Sequence, residues 1–315
     1  MSATFDTPLA DHPLRARQVS FDSTASFEVD WQRRLPEFAM AANAVSMMMP
    51  HVEPYVVRSV RGVIDELDAP LAEQARAYAA QESSHHGQHR RFNQHLIHRY
   101  PFLRKVDHWL SRTFRFIEAK GRGNFALAYA AGAETIAYAI ARWVADHRRT
   151  LLDGADGPAA DLFVWHLAEE VEHKTVAFDV FTARGGSRGS FLIGMLASLS
   201  TLAFYTVLGT LVMMISSRRI LSPMAWLRLT WWCLTFVFEL LPTMAGALLR
   251  GHHPSSLSDP EFYRVWLLDF DLRASAGRRE EAAARDSSAT GPSGTSGLAS
   301  RAAPQPPRPH RAPRN

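Results

Sequence analysis

The sequence has little cysteine, little net charge and no pattern typical of a β-sheet. Its single cysteine, Cys233, excludes a disulfide framework and a thiolate metal site, and it favours a reducing compartment. The formal net charge is only +4, and much of the basic excess lies in the C-terminal tail, so we expect no nucleic-acid partner. No segment alternates apolar and polar residues with a period of two. These absences favour an all-α intracellular protein.

Composition and helical periodicity divide the chain into four parts. Residues 1–34 are polar and predict an irregular N-terminal arm. Residues 35–186 predict a di-metal four-helix bundle, and residues 187–272 predict a hydrophobic helical hairpin followed by a short amphipathic helix at 259–271. Ala, Ser, Gly, Pro and Arg dominate residues 273–315, which predict a disordered tail.

Four long helices are expected in the bundle region. The first has Pro50 and Pro54 in its interior, which predict a break or kink there. The second starts at Asp68, a suitable capping residue followed by Pro70 in the first turn. The expected spans are 36–67, 68–99, 124–148 and 159–183, with a shorter helix at 102–119.

The two apolar segments after the bundle allow two interpretations. Residues 191–217 carry no charge and exceed the roughly 20 residues that a bilayer requires, whereas residues 224–249 are interrupted by Arg228 and Glu239. The pair can complete the core, or it can associate with a membrane through residues 191–249. Because Arg218 and Arg219 would suit an interface, the second interpretation predicts a protein on the cytoplasmic side of the inner membrane, associated with it or inserted in it.

A Glu-x-x-His motif occurs twice, as Glu82 with His85 and as Glu170 with His173. Three residues turn a helix by about 300°, so each pair lies on one helix face and can bind one ion. A lone copy is typical of a solvated face. Two copies, with one glutamate from each of two further helices, form the ligand set of di-metal carboxylate bundles.

Glu53 and Glu134 are the expected glutamates from the other two helices. Glu134 lies in an apolar stretch, where a single charge is costly unless it is paired or bound to a metal. Glu53 follows an apolar run in the first helix. Asp65 and Glu66 compete with it, but they lie near the helix end, where charges are usually solvated.

Further polar residues lie in phase with these motifs. His166 is four residues before Glu170 and is expected to add a seventh ligand. His89 lies four residues after His85 and can be another ligand or hydrogen-bond one. Glu169 and Glu172 are expected to support the ligands or to lie on the surface.

Two stretches resemble a bacterial family of predicted metal-dependent hydrolases: Gln81-Glu82 with His85 and His89, and Trp165-His166 followed by residues 169–180. The resemblance covers residues 30–270 and implies metal-dependent hydrolysis. The spacing of His166, Glu170 and His173 is also similar to that of bacterial di-iron arylamine N-oxygenases, in which an added histidine binds one iron. That similarity implies oxygen chemistry by analogy.

The residues and the resemblance together predict an all-α, ferritin-like four-helix bundle with a C-terminal hydrophobic helical hairpin. The expected cofactor is two metal ions, with iron first and manganese or zinc as alternatives. The first functional hypothesis is O2-dependent oxidation of a small apolar or lipid-like substrate by an oxidoreductase whose electron donor the sequence does not define. The alternatives are a hydrolase that uses a metal-bound hydroxide and a non-catalytic metal-binding protein.

Overall fold

A computed structural model describes residues 14, 17, 19, 27–155, 157–249, 251–263 and 265–266. This part of the chain contains nine α-helices and no strand, apart from an isolated bridge between Gln32 and Ala155. The prediction of an all-α fold is therefore confirmed. The predicted tail, most of the predicted arm and the end of the predicted helix at 259–271 lie outside the described residues. The predicted division into four parts stays a prediction.

The helices are α1 (Pro36–Arg61), α2 (Ala69–Arg99), α3 (Leu103–Lys120), α4 (Asn124–Asp146), α5 (Arg148–Leu151), α6 (Gly157–His173), α7 (Val176–Ala183), α8 (Arg188–Ser216) and α9 (Pro223–Ala247). Short 3-10 helices lie at Ile64–Glu66, Arg219–Leu221 and Pro254–Ser256. Asp68 caps α2 as predicted, since its carboxylate accepts a hydrogen bond of 2.9 Å from the backbone of Leu71.

Of the break or kink predicted in the first helix, the break is wrong, because α1 continues through both Pro50 and Pro54. A proline removes the hydrogen bond to the carbonyl four residues earlier, which for Pro50 is that of Ser46. The side chain of Asn93 on α2 donates a hydrogen bond of 2.8 Å to this carbonyl. The neighbouring helix thus satisfies the group that Pro50 leaves free.

The predicted fourth helix is two helices, because α6 ends at His173 and α7 begins at Val176. The break falls at Lys174, whose ammonium binds the backbone carbonyl of Leu257 at 2.8 Å and pairs with Asp259. His173 is therefore the last residue of its helix, and the segment after α9 is anchored beside it.

The helices α1, α2, α4 and α6 surround one interior, and α8 packs along α4 and α1. A Cβ atom on Gly194 of α8 would lie 2.3 Å from the backbone of Ala128 on α4. One on Gly209 would lie 2.8 Å from Ala44 on α1. Because both contacts need glycine, the inner face of α8 is closely packed over much of its length.

The outer faces of α8 and α9 are apolar and exposed. Phe204, Ile193 and Ile215 on α8 and Trp231 and Phe238 on α9 are between 59 and 69% exposed. By length and composition alone, both helices can cross a membrane, and only 28% and 11% of their most apolar windows are buried. The expected alternative of a pair that completes the core describes the inner face of α8 but not these outer faces.

Candidate metal centre

Six predicted ligands meet between four helices. Glu53 comes from α1, Glu134 from α4, and the two Glu-x-x-His pairs come from α2 and α6. All six are at most 5% exposed: Glu53, Glu82, His85, Glu134, Glu170 and His173. Ligand atoms of the two Glu-x-x-His pairs all lie within 4.8 Å of one another. The helical spacing therefore brings the two motifs onto one interior, as their pattern predicted.

The imidazole of His173 defines one half of the cluster. Its Nδ1 lies 2.7 Å from Oε1 of Glu82, 3.8 Å from Oε2 of Glu134 and 3.9 Å from Oε2 of Glu170. A single ion placed among these atoms would have one nitrogen and three carboxylate groups within reach.

His85 and His166 define the other half. Nδ1 of His85 lies 3.4 Å from Oε1 of Glu82 and 3.9 Å from Oε1 of Glu170. Nε2 of His166 lies 2.6 Å from the same Glu170 oxygen and 3.9 Å from Oε1 of Glu53. Glu53, His85 and His166 also form a group whose ligand atoms lie within 4.8 Å. Glu82 and Glu170 thus lie between two groups of ligands, with Glu134 at one end and Glu53 at the other.

Several atoms that face this interior have no hydrogen-bond partner among the described residues. They are both carboxylate oxygens of Glu53, Oε2 of Glu134, Oε2 of Glu170 and Nδ1 of His85. Oε1 of Glu82 and Nδ1 of His173 lie 2.7 Å apart and pair with each other when the histidine carries both protons. A buried polar atom without a partner costs about 1–3 kcal/mol, and more when it is charged. Because carboxylate oxygens and imidazole nitrogens are metal ligands, this donor set fits cations between them.

Neighbouring side chains bind the Nε2 atoms of His85 and His173, the nitrogens that point away from the cluster. Nε2 of His173 lies 2.8 Å from Oε1 of Gln81, an acceptor, so the proton of His173 belongs on Nε2 and Nδ1 is left to bind a cation. Nε2 of His85 lies 2.9 Å from Oε2 of Glu169. Such partners fix the tautomer and orientation of metal-binding histidines, which is the supporting position considered for Glu169.

Glu172 connects these partners to residues before α1 and after α9. Its carboxylate accepts hydrogen bonds from Gln81 at 3.0 Å, Tyr263 at 2.7 Å and Arg17 at 2.6 Å. Arg17 also donates to Glu169 at 3.2 Å. One guanidinium therefore holds the carboxylates behind both histidines, and Glu172 is a supporting residue rather than a surface group.

His89 supports His166 and does not face the two Glu-x-x-His pairs. Its Nε2 lies 2.5 Å from Nδ1 of His166, and its Nδ1 lies 2.7 Å from Oγ of Ser46. Of the two roles considered for His89, the structure favours the hydrogen-bonding one. His166 has a 12% exposed side chain, so it lies nearer to solvent than the six buried ligands.

Burial and mutual repulsion set the charges of the cluster when no metal is bound. Burial raises the pKa of Glu53 and of Glu134, and the carboxylates of Glu82 and Glu170 raise both further. Although burial opposes the charge, His173 and His85 lower the pKa of Glu82. Burial likewise opposes the charge on the two histidines, yet Glu169 with Glu82 raises the pKa of His85, and Glu82 raises that of His173.

The two competitors of Glu53 lie elsewhere. Asp65 and Glu66 are exposed on the short 3-10 helix after α1, and Glu66 pairs with Arg184 at 2.5 Å. They share no contact with the cluster among the described residues. Placement thus favours Glu53 over both, and the assignment of the metal ligands stays a prediction.

Sequence reasoning missed several residues of the site. Tyr78 donates a hydrogen bond of 2.6 Å to Oε1 of Glu134, and Ser46 binds His89. Their positions carry a usable signal, since Tyr78 is four residues before Glu82 and Ser46 is seven before Glu53, each on the ligand face of its helix. Arg17 and Tyr263 carry no such signal, because helical spacing does not relate them to the ligands.

A family model described as "Predicted metal-dependent hydrolase" matches residues 15–258, which include every residue of the cluster. No curated protein and no solved structure matches the chain. The match covers most of the chain, and the buried glutamate and histidine cluster is suited to a metal-dependent enzyme. The chain therefore belongs to the family of predicted metal-dependent hydrolases.

Proposed function

We propose that this protein is a hydrolase that uses two metal ions bound between α1, α2, α4 and α6. The observation that carries the proposal is the set of buried carboxylate and imidazole atoms without partners, which face one another across a space lined by four helices. A buried cluster of this charge is unfavourable by itself, and two cations would offset it.

The positions of the donor atoms suggest which residues would hold each of the two ions. Glu134, His173 and one oxygen of Glu170 would hold one ion, and Glu53, His85 and His166 would hold the other. Glu82 and Glu170 would lie between them. Because the donors are oxygen and imidazole nitrogen without thiolate, iron or manganese fits, and zinc is an alternative.

Bound metal ions would supply Lewis acidity and a lowered pKa for a coordinated water, which is the chemistry that hydrolysis needs. The protein itself orients the ligands and limits access of bulk water. The rings of Trp165 and His85 lie 4.7 Å apart, and those of Tyr78 and His173 lie 4.9 Å apart, each pair packed edge to face. Both cover the cluster with aromatic surface.

The substrate class follows from the surface rather than from the cluster. The exposed apolar faces of α8 and α9 favour an apolar or lipid-like substrate and association with a membrane. We propose the cytoplasmic side of the inner membrane as the place of that association. A lipid-like ester would combine a hydrolysable bond with the apolar character that these faces suit.

A second candidate function is O2-dependent oxidation. The specific observation in its favour is the number of carboxylates, since four glutamates facing two ions offset most of the charge of oxidised iron. The surrounding apolar helices would also shield a reactive oxidant from water. The family description favours hydrolysis over this candidate.

Activity under defined metal and oxygen conditions tests the proposal. We would load the protein with iron, manganese or zinc and follow hydrolysis of chromogenic esters with short and long acyl chains, without oxygen. We expect turnover that requires metal, is lost in Glu134→Gln and is kept in Glu66→Gln, an exposed glutamate outside the cluster. Metal-bound protein that shows no hydrolysis, but consumes O2 with reductant and an apolar substrate, would contradict hydrolysis and support oxidation.

A further inference from the structure

The outer face of α3 carries a row of exposed aromatic rings. Phe102, Trp109 and Phe116 are 63, 48 and 64% exposed and recur every seven residues. Seven residues make nearly two helical turns, with a drift of about 20°, so the rings lie in one row along the helix. A row of large exposed apolar side chains along one helix is typical of an interaction surface, whereas a single exposed one needs no explanation.

This row does not contribute to the core, because the neighbouring side of α3 does that. Leu103, Val106, Leu110 and Phe114 are buried in the same core cluster as residues of α1 and α2. The helix is therefore apolar on two sides. The inner side serves folding, and the outer side is free for another purpose.

Basic side chains alternate with the rings. Lys105 and Arg112 are exposed and lie three residues after Phe102 and Trp109, on the same side of the helix. The acidic residues of α3 face α1 rather than the row, since Asp107 contacts His51 at 2.8 Å and Glu118 pairs with Arg58 at 2.8 Å. The outer face of α3 is therefore both aromatic and positively charged.

A shallow cavity lies at the N-terminal end of this row. It has a volume of about 490 Å³ and is lined by Pro101, Phe102, Arg104, Lys105, His108 and Trp109. Its wall combines basic groups with exposed aromatic surface, which suits a phosphate group attached to an apolar chain.

The row lies beside the apolar helix α8. The hydroxyls of Thr113 and Tyr205 are hydrogen-bonded at 2.6 Å, which joins α3 to the middle of α8. Phe204 and Val207 in the same part of α8 are 59 and 57% exposed. The aromatic row of α3 thus adjoins further apolar surface.

We propose that the outer face of α3 docks on an anionic lipid bilayer. Interfacial helices combine aromatic side chains, which enter the boundary of headgroups and acyl chains, with lysine and arginine, which contact lipid phosphates. Phe102, Trp109 and Phe116 take the first role, and Lys105 and Arg112 take the second. The proposal is independent of the metal chemistry, because none of these residues contacts the cluster.

Binding of the full chain to vesicles tests this proposal. We would measure co-sedimentation with vesicles of phosphatidylcholine alone and of phosphatidylcholine with phosphatidylglycerol, at low and high salt. The test variants are Lys105→Glu with Arg112→Glu, and Trp109→Ser with Phe116→Ser. The control is Arg61→Glu with Arg76→Glu on exposed parts of α1 and α2. A further variant, Leu227→Ser with Trp231→Ser, measures the separate contribution of the outer face of α9.

We expect binding that needs the anionic lipid and weakens at high salt. Each basic residue near an anionic surface contributes roughly a fivefold factor, so the double charge reversal should weaken binding at least about twentyfold. The aromatic variant should weaken it as well, and the charge control should bind like the unaltered chain. The α9 variant should weaken binding without removing its dependence on anionic lipid and on salt. Helical content and metal content serve as checks that the variants are folded.

Three outcomes would overturn the proposal. One is equal binding to neutral and anionic vesicles, and another is unchanged binding of both α3 variants. The third is absence of vesicle binding by the folded chain, which would indicate that a protein covers α3. A loss confined to the α9 variant is a case of the second outcome, and it would assign membrane contact to α9 rather than α3.

Discussion

Two regions of this protein depart in opposite ways from the usual arrangement of polar side chains outside and apolar side chains inside. They are the interior between α1, α2, α4 and α6, and the outer faces of α8 and α9. The interior holds charged groups that are buried and lack partners, such as Glu53. The outer faces hold large apolar groups that are exposed, such as Phe238. Each region therefore suits a binding partner of complementary character: a cation in the interior and an apolar surface at the outer faces.

The two regions meet at α4, which explains why one chain contains both. One side of α4 carries Glu134 to the cluster, and another side receives α8, where Gly132 and Met195 are in close contact. A Cβ atom on Gly132 would lie 2.5 Å from the Cα atom of Met195. The apolar helix is thus part of the wall behind the cluster, and the comparison can be tested from either side.

Replacing one predicted metal ligand, Glu134, should give the largest effect, a loss of metal affinity. Glu134→Gln keeps the shape of the side chain and can still accept the hydrogen bond from Tyr78, but it removes the charge that faces His173. We expect metal affinity on that side to fall by at least about a hundredfold, beyond the range typical of outer partners of a metal site. Calorimetric titration of the metal-free protein measures it, and Glu66→Gln is the control.

The same variant should make the metal-free protein more stable at neutral pH, because burial raises the pKa of Glu134 and glutamine avoids the cost of protonating that carboxylate. Thermal unfolding without metal checks this. A variant that loses stability in the metal-free state and keeps its metal affinity would mean that Glu134 is a structural residue.

Removing the guanidinium behind both histidines should give the next largest effect. Arg17→Ala leaves Glu169 and Glu172 less well oriented, and these carboxylates hold His85 directly and His173 through Gln81. We expect metal affinity to fall about tenfold. Arg33→Ala removes an exposed pair with Glu28 and serves as the matched control. Equal metal affinities of the Arg17→Ala and Arg33→Ala variants would show that Arg17 does not support the metal site.

Filling the contact between α4 and α8 should destabilise the fold more modestly. Gly194→Ala places a methyl group against the backbone of Ala128, and we expect a loss of about 1–3 kcal/mol in unfolding free energy. Gly87→Ala on α2 has no atom within 4 Å of the added group and should be neutral or slightly stabilising. If Gly194→Ala unfolded at the same temperature as the unaltered chain, α8 would not pack on the bundle.

The smallest expected effect is a dependence of stability on pH in the metal-free protein. Raised pKa values of Glu53, Glu134, His85 and His173 mean that the folded state holds protons that the unfolded state releases. Stability from these groups is present at low pH and is lost as pH rises through their folded pKa values. Burial lowers the pKa of His89, so the effect of this residue on stability has the opposite sign and increases with pH. That increase is nearly complete above pH 6.5, the usual pKa of a histidine.

Between about pH 6.5 and 8.5, the metal-free protein should therefore lose roughly 4 °C or more in melting temperature. The metal-bound protein should change less, because its ligands are already deprotonated. Scanning calorimetry of both forms measures the difference. Parallel pH curves for the two forms would show that the cluster does not titrate as described.

The parts of this structure that depend on spacing within a helix were predictable from the sequence. The two Glu-x-x-His pairs and Glu134 lie where the helical period puts them, and Asp68 caps α2 because a carboxylate can accept from a backbone amide three residues later. Such features depend only on residues within a few turns of one another.

The parts that depend on contacts between distant segments were not predictable. α1 continues past Pro50 because Asn93 binds the freed carbonyl, and Arg17 meets Glu172 only once the arm and α6 are in place. The end of α6 at His173 similarly coincides with the contact of Lys174 to the segment after α9. Packing determines these features, and no local pattern encodes them.

Metal content gives the most direct test of the central claim that the buried cluster is a binuclear metal site. We would purify the full chain and the double variant Glu170→Ala, His173→Ala from medium containing iron, manganese and zinc, and measure all three elements per chain. We expect about two metal ions in the unaltered protein and a loss of both in the folded variant, because Glu170 lies between the two positions. A folded, unaltered chain that binds no metal, even when titrated, would contradict the account.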